Sequence, residues 1–267
     1  MTNWVEIKNE ALRWTYEAGD LIREAIKRPI VIETKSNAND LVTEVDRKIE
    51  AFFYEKMKAT YPDHFFLGEE GMYDEKPSGE GTVWIIDPID GTMNFVHQKQ
   101  KFAISVAVYH NGVGMIGIVY DVMSDEMFYA VKGEGAYVNE KKLEQVSDRS
   151  LSEALISING AWLVKEESPY QKELISLVRD VRGMRSYGSA AIEMAYVASN
   201  RIDCYLSVKL SPWDYAAGAV LLEEVGYPVT TFSGEKLTID RKSSVICGKP
   251  SIHNKVIERY VGKASQK

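Results

Sequence analysis

The sequence predicts a mixed α/β fold built from two unlike halves. In residues 1–148, two helical patterns are followed by short apolar strands joined by hairpin signals, which predicts an α+β subdomain with a mainly antiparallel sheet. In residues 149–267, strands alternate with helices, a pattern typical of an α/β unit. The sequence has no internal repeat and no linker-like stretch, so we expect the two subdomains to pack closely.

The first subdomain begins with two predicted helices. Apolar residues recur at helical spacing from Trp4 to Ile26, and Pro29 follows that run. A second helical pattern leads to Met57, and Thr43 with Asp46 has the spacing of a capping box at its start. The strands predicted in this half are residues 65–67, 83–86, 102–109, 115–120 and 126–131.

A glycine pattern in this half matches the dinucleotide-binding fingerprint by spacing alone. Gly112, Gly114 and Gly117 spell GxGxxG, but β-rich sequence lies on both sides, whereas the fingerprint has to open a helix. We interpret Asn111-Gly112 as a hairpin turn instead. In the second subdomain the predicted strands are residues 154–158, 202–208 and 243–247, and the predicted helices are residues 170–181, 189–199 and 213–225.

Composition narrows the class of protein. The chain has 267 residues, 45% of them hydrophobic and 27% charged, and a formal net charge of −7, which argues against a general binder of nucleic acid or anionic membranes. Its two cysteines, Cys204 and Cys247, fit a reducing compartment better than a disulfide-stapled fold. No stretch reaches the length of a membrane span, so we expect a cytoplasmic protein.

One stretch, Trp84 to Phe95, carries the strongest chemical signal. An apolar strand is expected to end at Asp87, because Pro88 lacks an N–H group, and Asp90-Gly91 then turns the chain into a helix that begins at Thr92. Two carboxylates at a strand end, beside a helix N-terminus, are suited to Mg²⁺ and phosphate. The alternative is an Asp-Gly hairpin, although the residues after Gly91 lack alternating polarity.

Three separated motifs resemble those of a known family. The string DPIDGTMNF at residues 87–95, Gly-Glu-Glu at 68–70 and PWDYAAG at 212–218 are similar to the signature motifs of the inositol monophosphatase family of Mg²⁺-dependent, Li⁺-sensitive phosphatases. The resemblance runs from about Lys35 to the C-terminal region. It implies a five-layer α-β-α-β-α sandwich of the sugar-phosphatase type, with the active site between the two subdomains, and a homodimer.

The resemblance also implies a metal site made of oxygen ligands. Close carboxylates repel one another unless cations neutralise them, and a site without His or Cys favours Mg²⁺. For Asp214 the structural alternative is an acid that complements a helix dipole. Lys35 is implied near a weakly held third metal. The implied ligands are the carboxylates of Glu69, Asp87, Asp90 and Asp214 and the main-chain carbonyl of Ile89.

The implied catalytic residues are Thr92, Asp46 and Glu69. Asp40 to Asp46 match the family motif DLVT-x-x-D, which implies that Asp46 and Thr92 orient and deprotonate the attacking water. Helix capping alone is a sufficient structural reason for Thr43 and Asp46, and the two roles are compatible. The implied substrate-binding residues are Asp90, Gly91, Thr92, Gly188, Ser189, Ala190, Ser207 and Asp214.

Ser207 departs from the family pattern. Many inositol phosphatases carry a Glu seven residues before the aspartate that matches Asp214, where it binds inositol hydroxyls, and this chain has Ser207 there. The shorter, uncharged side chain is expected to reduce discrimination for inositol by about threefold to thirtyfold. Lys209 would instead favour a second phosphate. The structural alternative is that Ser207 and Lys209 face solvent.

The function expected from the resemblance is Mg²⁺-dependent hydrolysis of a phosphate monoester by a phosphoric monoester hydrolase. Inositol 1-phosphate is the expected substrate, with broad specificity. Fructose 1,6-bisphosphate and the 2′-phosphate of NADP are alternative substrates on the same fold, and a non-catalytic, transcription-associated scaffold is a second alternative. The expected partner is a small phosphate ester, with neither nucleic acid nor a membrane.

Overall fold

Two long helices, α1 (Trp4–Ala25) and α2 (Glu44–Thr60), open the computed structural model, in which residues 3–34, 41–73, 80–165 and 168–262 are described. Strands β1 (Ile32–Thr34) and β2 (Leu41–Thr43) pair antiparallel between these helices. The predicted capping box is present at the start of α2. The Thr43 hydroxyl accepts the N–H of Asp46, and the Asp46 carboxylate accepts the N–H of Thr43 at 2.9 Å.

A seven-stranded sheet follows, in which the strands lie side by side in chain order. Its first two strands are parallel, and every later neighbouring pair is antiparallel. Helix α3 (Thr92–Gln98) joins the second and third of them. The strands are β3 (Phe65–Gly68), β4 (Thr82–Asp90), β5 (Ala103–His110), β6 (Val113–Asp121), β7 (Glu126–Val131), β8 (Gly135–Val138) and β9 (Lys141–Lys142).

The prediction that this strand ends at Asp87 is wrong. β4 continues through Pro88 to Asp90, and its register against β5 shifts between the two aspartates. An irregularity in the pairing accommodates a proline, which has no N–H to donate to the ladder. Both aspartates therefore belong to one strand, on either side of a local bend.

A smaller, five-stranded sheet is formed by the second half of the chain, in the order β11-β10-β12-β14-β13. β10 is parallel to both of its neighbours, and β14 is antiparallel to both of its neighbours. The strands are β10 (Leu155–Ile158), β11 (Gly183–Arg185), β12 (Cys204–Leu210), β13 (Val229–Thr230) and β14 (Ser243–Gly248). The helices are α4 (Ala161–Val164), α5 (Gln171–Asp180), α6 (Ala190–Ala198), α7 (Pro212–Val225) and α8 (Pro250–Val256), the last continuing into a π-helical stretch, Ile257–Val261.

Three clusters of buried apolar side chains define the layers. One cluster packs α1 and α2 against the large sheet, and a second holds α6 and α7 between the large and the small sheet. A third packs α5 and α8 against the outer face of the small sheet. The order of layers is therefore α-β-α-β-α, as predicted. α6 and α7 are buried almost all round, which is expected of helices in a central layer.

The two sheets fall on either side of the predicted subdomain boundary. The large sheet ends at Lys142 and the small one begins at Leu155, so residues 148 and 149 lie between them. The division into two subdomains stays a prediction. In the described part of the chain, no helix is long and apolar enough to cross a membrane.

Candidate active site

Three aspartates that are distant in the sequence meet between the two sheets. Asp87 and Asp90 lie at the end of β4, and Asp214 lies in the first turn of α7. One carboxylate oxygen from each lies within 4.8 Å of the others. We call these three residues the aspartate cluster. Side-chain oxygens at this spacing are hard ligands that can share a bound cation.

Asp90 is held by residues from the second half of the chain. Its Oδ2 accepts a hydrogen bond from the Ser189 hydroxyl at 2.5 Å and another from the Ala191 N–H at 2.6 Å. Ser189 is also the N-cap of α6, where its hydroxyl accepts the N–H of Ile192. The start of α6 therefore fixes the orientation of a carboxylate that β4 carries.

The other two aspartates are held by their own local backbone. Asp87 Oδ1 accepts the N–H of Ile89 at 3.0 Å, which folds the side chain over the irregular end of β4. Asp214 Oδ2 accepts the N–H of Ser211 at 2.7 Å, as part of a capping box at the start of α7. The structural reason considered for Asp214, an acid at a helix N-terminus, is therefore present in the fold alongside its membership of the cluster.

Crowding of these acids makes their ionisation unfavourable. Burial raises the pKa of Asp87, and the negative charges of Glu69 and Asp90 raise it further. Burial likewise raises the pKa of Asp214, and the negative charge of Asp90 is the next largest cause. Burial raises the pKa of Asp90 to about 6 even though Ser189 and Ala191 stabilise its ionised form. The cluster concentrates negative charge that a cation would neutralise.

Glu69 joins the cluster from the end of β3. Its N–H donates to the Ile86 carbonyl at 3.1 Å, which extends the parallel pairing of β3 and β4 by one residue. Its half-buried side chain lies near Asp87, and its negative charge raises the pKa of Asp87, Asp90 and Asp214. The structure therefore brings all four predicted carboxylates together.

Asp46 lies close to this group but does not belong to it. Its Oδ2 accepts two hydrogen bonds from Thr43, whereas its buried Oδ1 has no hydrogen-bond partner among the described residues. Burial raises the pKa of Asp46 to about 7, and the charge of Glu69 contributes. The partner-free oxygen is a buried acceptor available to a water or a substrate group.

Thr92 and Asp46 belong to neighbouring elements of the fold. Helix α3, which Thr92 begins, packs against β2, which ends at Thr43. The Thr92 hydroxyl donates to the Ile89 carbonyl at 3.2 Å and makes no hydrogen bond to Asp46 within the described ranges. The predicted pair therefore lies in one region, and the Ile89 carbonyl already accepts one hydrogen bond.

Gly91 allows the two halves of the chain to approach each other at the site. Its φ is +95°, a backbone conformation that residues other than glycine rarely adopt. A Cβ at this position would lie 3.1 Å from the Gly188 carbonyl oxygen and 3.3 Å from that of Lys101. A larger residue would push the turn away from residues 188 and 189.

A cavity of about 360 Å³ opens beside the aspartate cluster. Of the predicted substrate-binding residues, six line it and two, Gly91 and Thr92, do not. Of the remaining site residues, Asp46, Glu69, Asp87 and Ile89 also lie outside its lining. The six that line it are Asp90, Gly188, Ser189, Ala190, Ser207 and Asp214.

One face of β12 belongs to the part of the cavity lining that we call the far wall, which also includes Trp162, Lys165 and Glu193. Tyr205, Ser207 and Lys209 alternate along this strand and all line the cavity. Ser207 is only 4% exposed, so the alternative that it faces solvent is wrong. Lys209 lines the cavity while remaining exposed.

Sequence reasoning missed several residues of this wall. Trp162 and Lys165 line it from α4 and the residue after it, and the Lys165 ammonium lies 5.3 Å from the centre of the Trp162 ring. Glu193 also lines it and accepts the N–H groups of Tyr187 at 2.5 Å and Gly188 at 3.1 Å. One feature of the sequence could have indicated Glu193: it is the one acidic residue in the otherwise apolar helix α6.

Burial raises the pKa of Glu193 to about 7, although the two backbone donors oppose that rise.

Two residues singled out in the sequence lie outside the described residues. They are Lys35, implied near a third metal, and Asp40, the first residue of the DLVT-x-x-D motif.

Comparisons with known proteins identify the family of this chain. The model of the inositol monophosphatase family matches residues 3–266. The chain is 51% identical to Inositol-1-monophosphatase of Bacillus subtilis over 261 residues, 98% of each chain, and 37% identical to Nus factor SuhB of Pseudomonas aeruginosa over 246 residues, 90% of each chain. A solved structure of an IMPase/NADP phosphatase complexed with NADP and Ca²⁺ superimposes with a TM-score of 0.89 at 27% identity, covering 97% of this chain and 96% of that one.

The predicted fold class and the predicted class of enzyme, a phosphoric monoester hydrolase, are confirmed by these likenesses. The family match covers nearly the whole chain and includes all three motifs from which the resemblance was inferred. The chain therefore belongs to the inositol monophosphatase family.

Proposed function

We propose that this protein hydrolyses phosphate monoesters in a Mg²⁺-dependent reaction and that inositol 1-phosphate is a substrate. The observation that carries the proposal is the aspartate cluster, whose oxygens lie within 4.8 Å of one another, with Asp90 and Asp214 in the wall of the cavity. A substrate in that cavity would have its phosphate beside the cluster. The Bacillus subtilis relative, which is named for this substrate, supports the choice.

The donor set fits Mg²⁺. Among the described residues, the site offers carboxylate oxygens, which are hard ligands, and no imidazole or thiolate. Burial and the neighbouring carboxylates raise the pKa of Asp87 and Asp214, so a bound cation would stabilise their ionised forms. When bound, Mg²⁺ supplies positive charge to the phosphoryl group and lowers the pKa of a coordinated water. The residues we propose as ligands are Glu69, Asp87, Asp90, Asp214 and the Ile89 carbonyl.

We assign the orientation of the attacking water to Asp46 and Thr92. Asp46 has a buried Oδ1 without a described partner, and its pKa of about 7 allows it to accept a proton near neutral pH. Thr43 holds the opposite oxygen, so the carboxylate cannot turn freely. Thr92 reaches this role by exchanging its 3.2 Å hydrogen bond to Ile89 for one to water.

Substrate hydroxyls are proposed to contact the part of the lining formed by Gly188, Ser189 and Ala190, and also Ser207. Gly91 and Thr92 stay in the proposal as groups that contact the phosphate, although neither lines the cavity. A neutral hydroxyl at Ser207 holds a ring hydroxyl less strongly than a carboxylate would, and we therefore propose broad specificity.

A second candidate substrate is a phosphate ester with another charged or aromatic group, such as NADP or fructose 1,6-bisphosphate. Trp162, Lys165 and Lys209 favour it, because the cavity extends to an indole ring and two cationic side chains. A cationic wall binds a second phosphate, and an indole stacks on a base. The IMPase/NADP phosphatase neighbour supports this candidate.

A phosphate-release assay with inositol 1-phosphate, NADP and fructose 1,6-bisphosphate, each with Mg²⁺ and with EDTA, tests both candidates. We expect Mg²⁺-dependent release from inositol 1-phosphate and comparable release from at least one of the others. Release from none of the three would favour the remaining alternative, a non-catalytic transcription-associated scaffold, which the likeness to Nus factor SuhB supports. A scaffold would not need four intact carboxylates at one point.

We also propose a cytoplasmic homodimer that binds no nucleic acid. The dimer rests on family resemblance alone, and the absence of nucleic-acid binding rests on the net charge of −7. Light scattering of the purified protein is expected to give twice the mass of the chain. The monomer mass would contradict the dimer without affecting the proposed chemistry.

A further inference from the structure

A buried glutamate outside the aspartate cluster holds the loop that carries Glu69. Glu50 lies in α2 and has no solvent exposure. Its Oε2 accepts the N–H of Glu70 at 2.7 Å, and its Oε1 accepts the N–H of Met72 at 3.1 Å. Both oxygens of one carboxylate therefore bind the backbone immediately after Glu69.

Gly68, the residue before Glu69, leaves the space that this contact needs. A Cβ at Gly68 would lie 2.3 Å from Glu50 Oε2 and 2.5 Å from its Cδ, closer than side-chain carbons approach other atoms. The absence of a side chain at Gly68 thus lets the carboxylate reach the loop. The steric restriction at Gly68 and the two hydrogen bonds of Glu50 therefore involve the same two segments, α2 and residues 68–72.

The opposite side of the loop is fixed by the sheet. Glu69 donates its N–H to the Ile86 carbonyl at 3.1 Å, one residue before Asp87. Residues 68–72 therefore lie between β4 and the buried carboxylate of α2. Because the backbone is held on both sides, the Glu69 side chain starts from a fixed position next to β4, and its charge acts on the neighbouring Asp87.

The same helix carries Asp46 one turn before Glu50. Residues four apart on a helix share a face, and both of these acids are fully buried. A displacement of the loop relative to α2 would change the distance between Asp46 and Glu69. The Glu50 contact thus sets the spacing between a proposed water-orienting group and a proposed metal ligand.

We propose that Glu50 is a positioning residue: its carboxylate holds the 68–72 loop against α2 so that Glu69 reaches the aspartate cluster. The proposal rests on the proposed function, because it assigns Glu69 to the metal site. Glu50 itself binds neither metal nor substrate. Its contribution is the geometry of one ligand, and its loss would weaken metal binding without removing a ligand.

Replacing Glu50 by glutamine keeps the size of the side chain and changes only its charge and its hydrogen bonds. A carboxamide has one acceptor oxygen and one NH₂ group, so it can accept only one of the two N–H groups and turns a donor toward the other. We expect Glu50→Gln to weaken Mg²⁺ binding to the substrate-free protein about tenfold, as measured by calorimetric titration. The Mg²⁺ concentration for half-maximal phosphate release should rise by a similar factor, while kcat at saturating Mg²⁺ recovers most of its value.

Two controls on α2 isolate the effect. Glu55 is exposed on the same helix, so Glu55→Gln removes the same charge and should leave Mg²⁺ affinity unchanged. Ile49 is buried in the core beside Glu50, and Ile49→Val should lower the unfolding temperature while leaving Mg²⁺ affinity unchanged. Gly68→Ala approaches the contact from the other side and should reproduce the Glu50→Gln effect on Mg²⁺.

An unchanged Mg²⁺ affinity in Glu50→Gln, with only a lowered unfolding temperature, would overturn the proposal and leave Glu50 a structural residue. If Glu50→Gln does not fold, Glu50→Asp carries the same test, because it keeps the charge but is too short to reach both N–H groups. Wild-type protein that binds no Mg²⁺ would contradict the proposed function and this inference together. Wild-type binding with no change in any of these variants would contradict the inference alone.

Discussion

The two sides of the cavity are built in different ways. The side that carries the proposed chemistry comes from short, continuous stretches, with Asp87 and Asp90 on one strand end and Asp214 at one helix start. Each of these aspartates accepts at least one protein hydrogen bond. The far wall combines side chains from α4, α6 and β12, including the exposed Lys165 and Lys209.

This difference suggests that one side of the cavity determines the reaction and the other determines which substrates bind. A substitution in the cluster removes a proposed metal ligand, so it costs activity even where it relieves repulsion between the acids. The far wall has exposed side chains that can be exchanged at small cost in stability. We therefore expect changes on the first side to remove activity and changes on the second to redistribute it among substrates.

Removal of the metal should have the largest effect. With EDTA in excess of Mg²⁺, phosphate release is expected to fall to background, because the acids of the cluster then repel both one another and the substrate phosphate. Readdition of Mg²⁺ should restore the rate, and Li⁺ at about millimolar concentration should inhibit it, as expected of weak hard-cation sites. Full turnover in EDTA would remove the metal from the mechanism.

Asp90→Asn should reduce kcat/KM by at least about a hundredfold, the scale of removing one electrostatic stabiliser. The same change should raise the unfolding temperature of the metal-free protein above pH 6, because the pKa of Asp90 is raised to about 6 and its ionised form costs stability above that pH. Asp63→Asn, at an exposed position, is the control. A mutant with near-normal turnover would exclude Asp90 from the site.

Thr92→Ala should lower kcat about thirtyfold with little change in KM, because ordering the attacking water matters in the transition state; the loss corresponds to about 2 kcal/mol for one hydrogen bond in a charged site. Steady-state kinetics with inositol 1-phosphate separate the two constants. Thr92→Ser keeps the hydroxyl and should retain most of the rate. An increase in KM alone would reassign Thr92 to ground-state binding.

Ser207→Glu should have the smallest effect and should sharpen selectivity. We expect the ratio of kcat/KM for inositol 1-phosphate over NADP to rise about tenfold, because a carboxylate binds a hydroxyl more strongly than a serine does and repels a second phosphate. Ser207→Gln provides the matched size without the charge. Strong selectivity for inositol 1-phosphate in the wild type, unchanged by Ser207→Glu, would show that this position does not set specificity.

Sequence reasoning predicted the main elements well where a pattern was long or chemically marked. The 22 residues of α1, the capping box of α2 and the Asn111-Gly112 hairpin agree with the structure, and so do the layers implied by the resemblance. Short elements were not predicted, among them α4, β11, β13 and α8. Elements of two to seven residues have too few positions to display a period, and tertiary packing determines them.

The site shows the same limit. Three motifs led to all four carboxylates that the structure brings together, whereas Trp162, Lys165 and Glu193 were missed because no local motif marks them and only the fold brings them to one cavity. The strand that was expected to end at Asp87 continues past Pro88, because a shift of register absorbs the missing N–H. The roles of the individual residues stay predictions.

The central claim is that the aspartate cluster is a cation site beside a substrate cavity. Crystals grown with Mn²⁺ in place of Mg²⁺ and a phosphate ester, measured at the manganese absorption edge, test it directly. We expect an anomalous peak in contact with the carboxylates of Asp87, Asp90 and Asp214, with the phosphate on the cavity side. Manganese bound only elsewhere on the protein, with the cluster free of anomalous density, would contradict it.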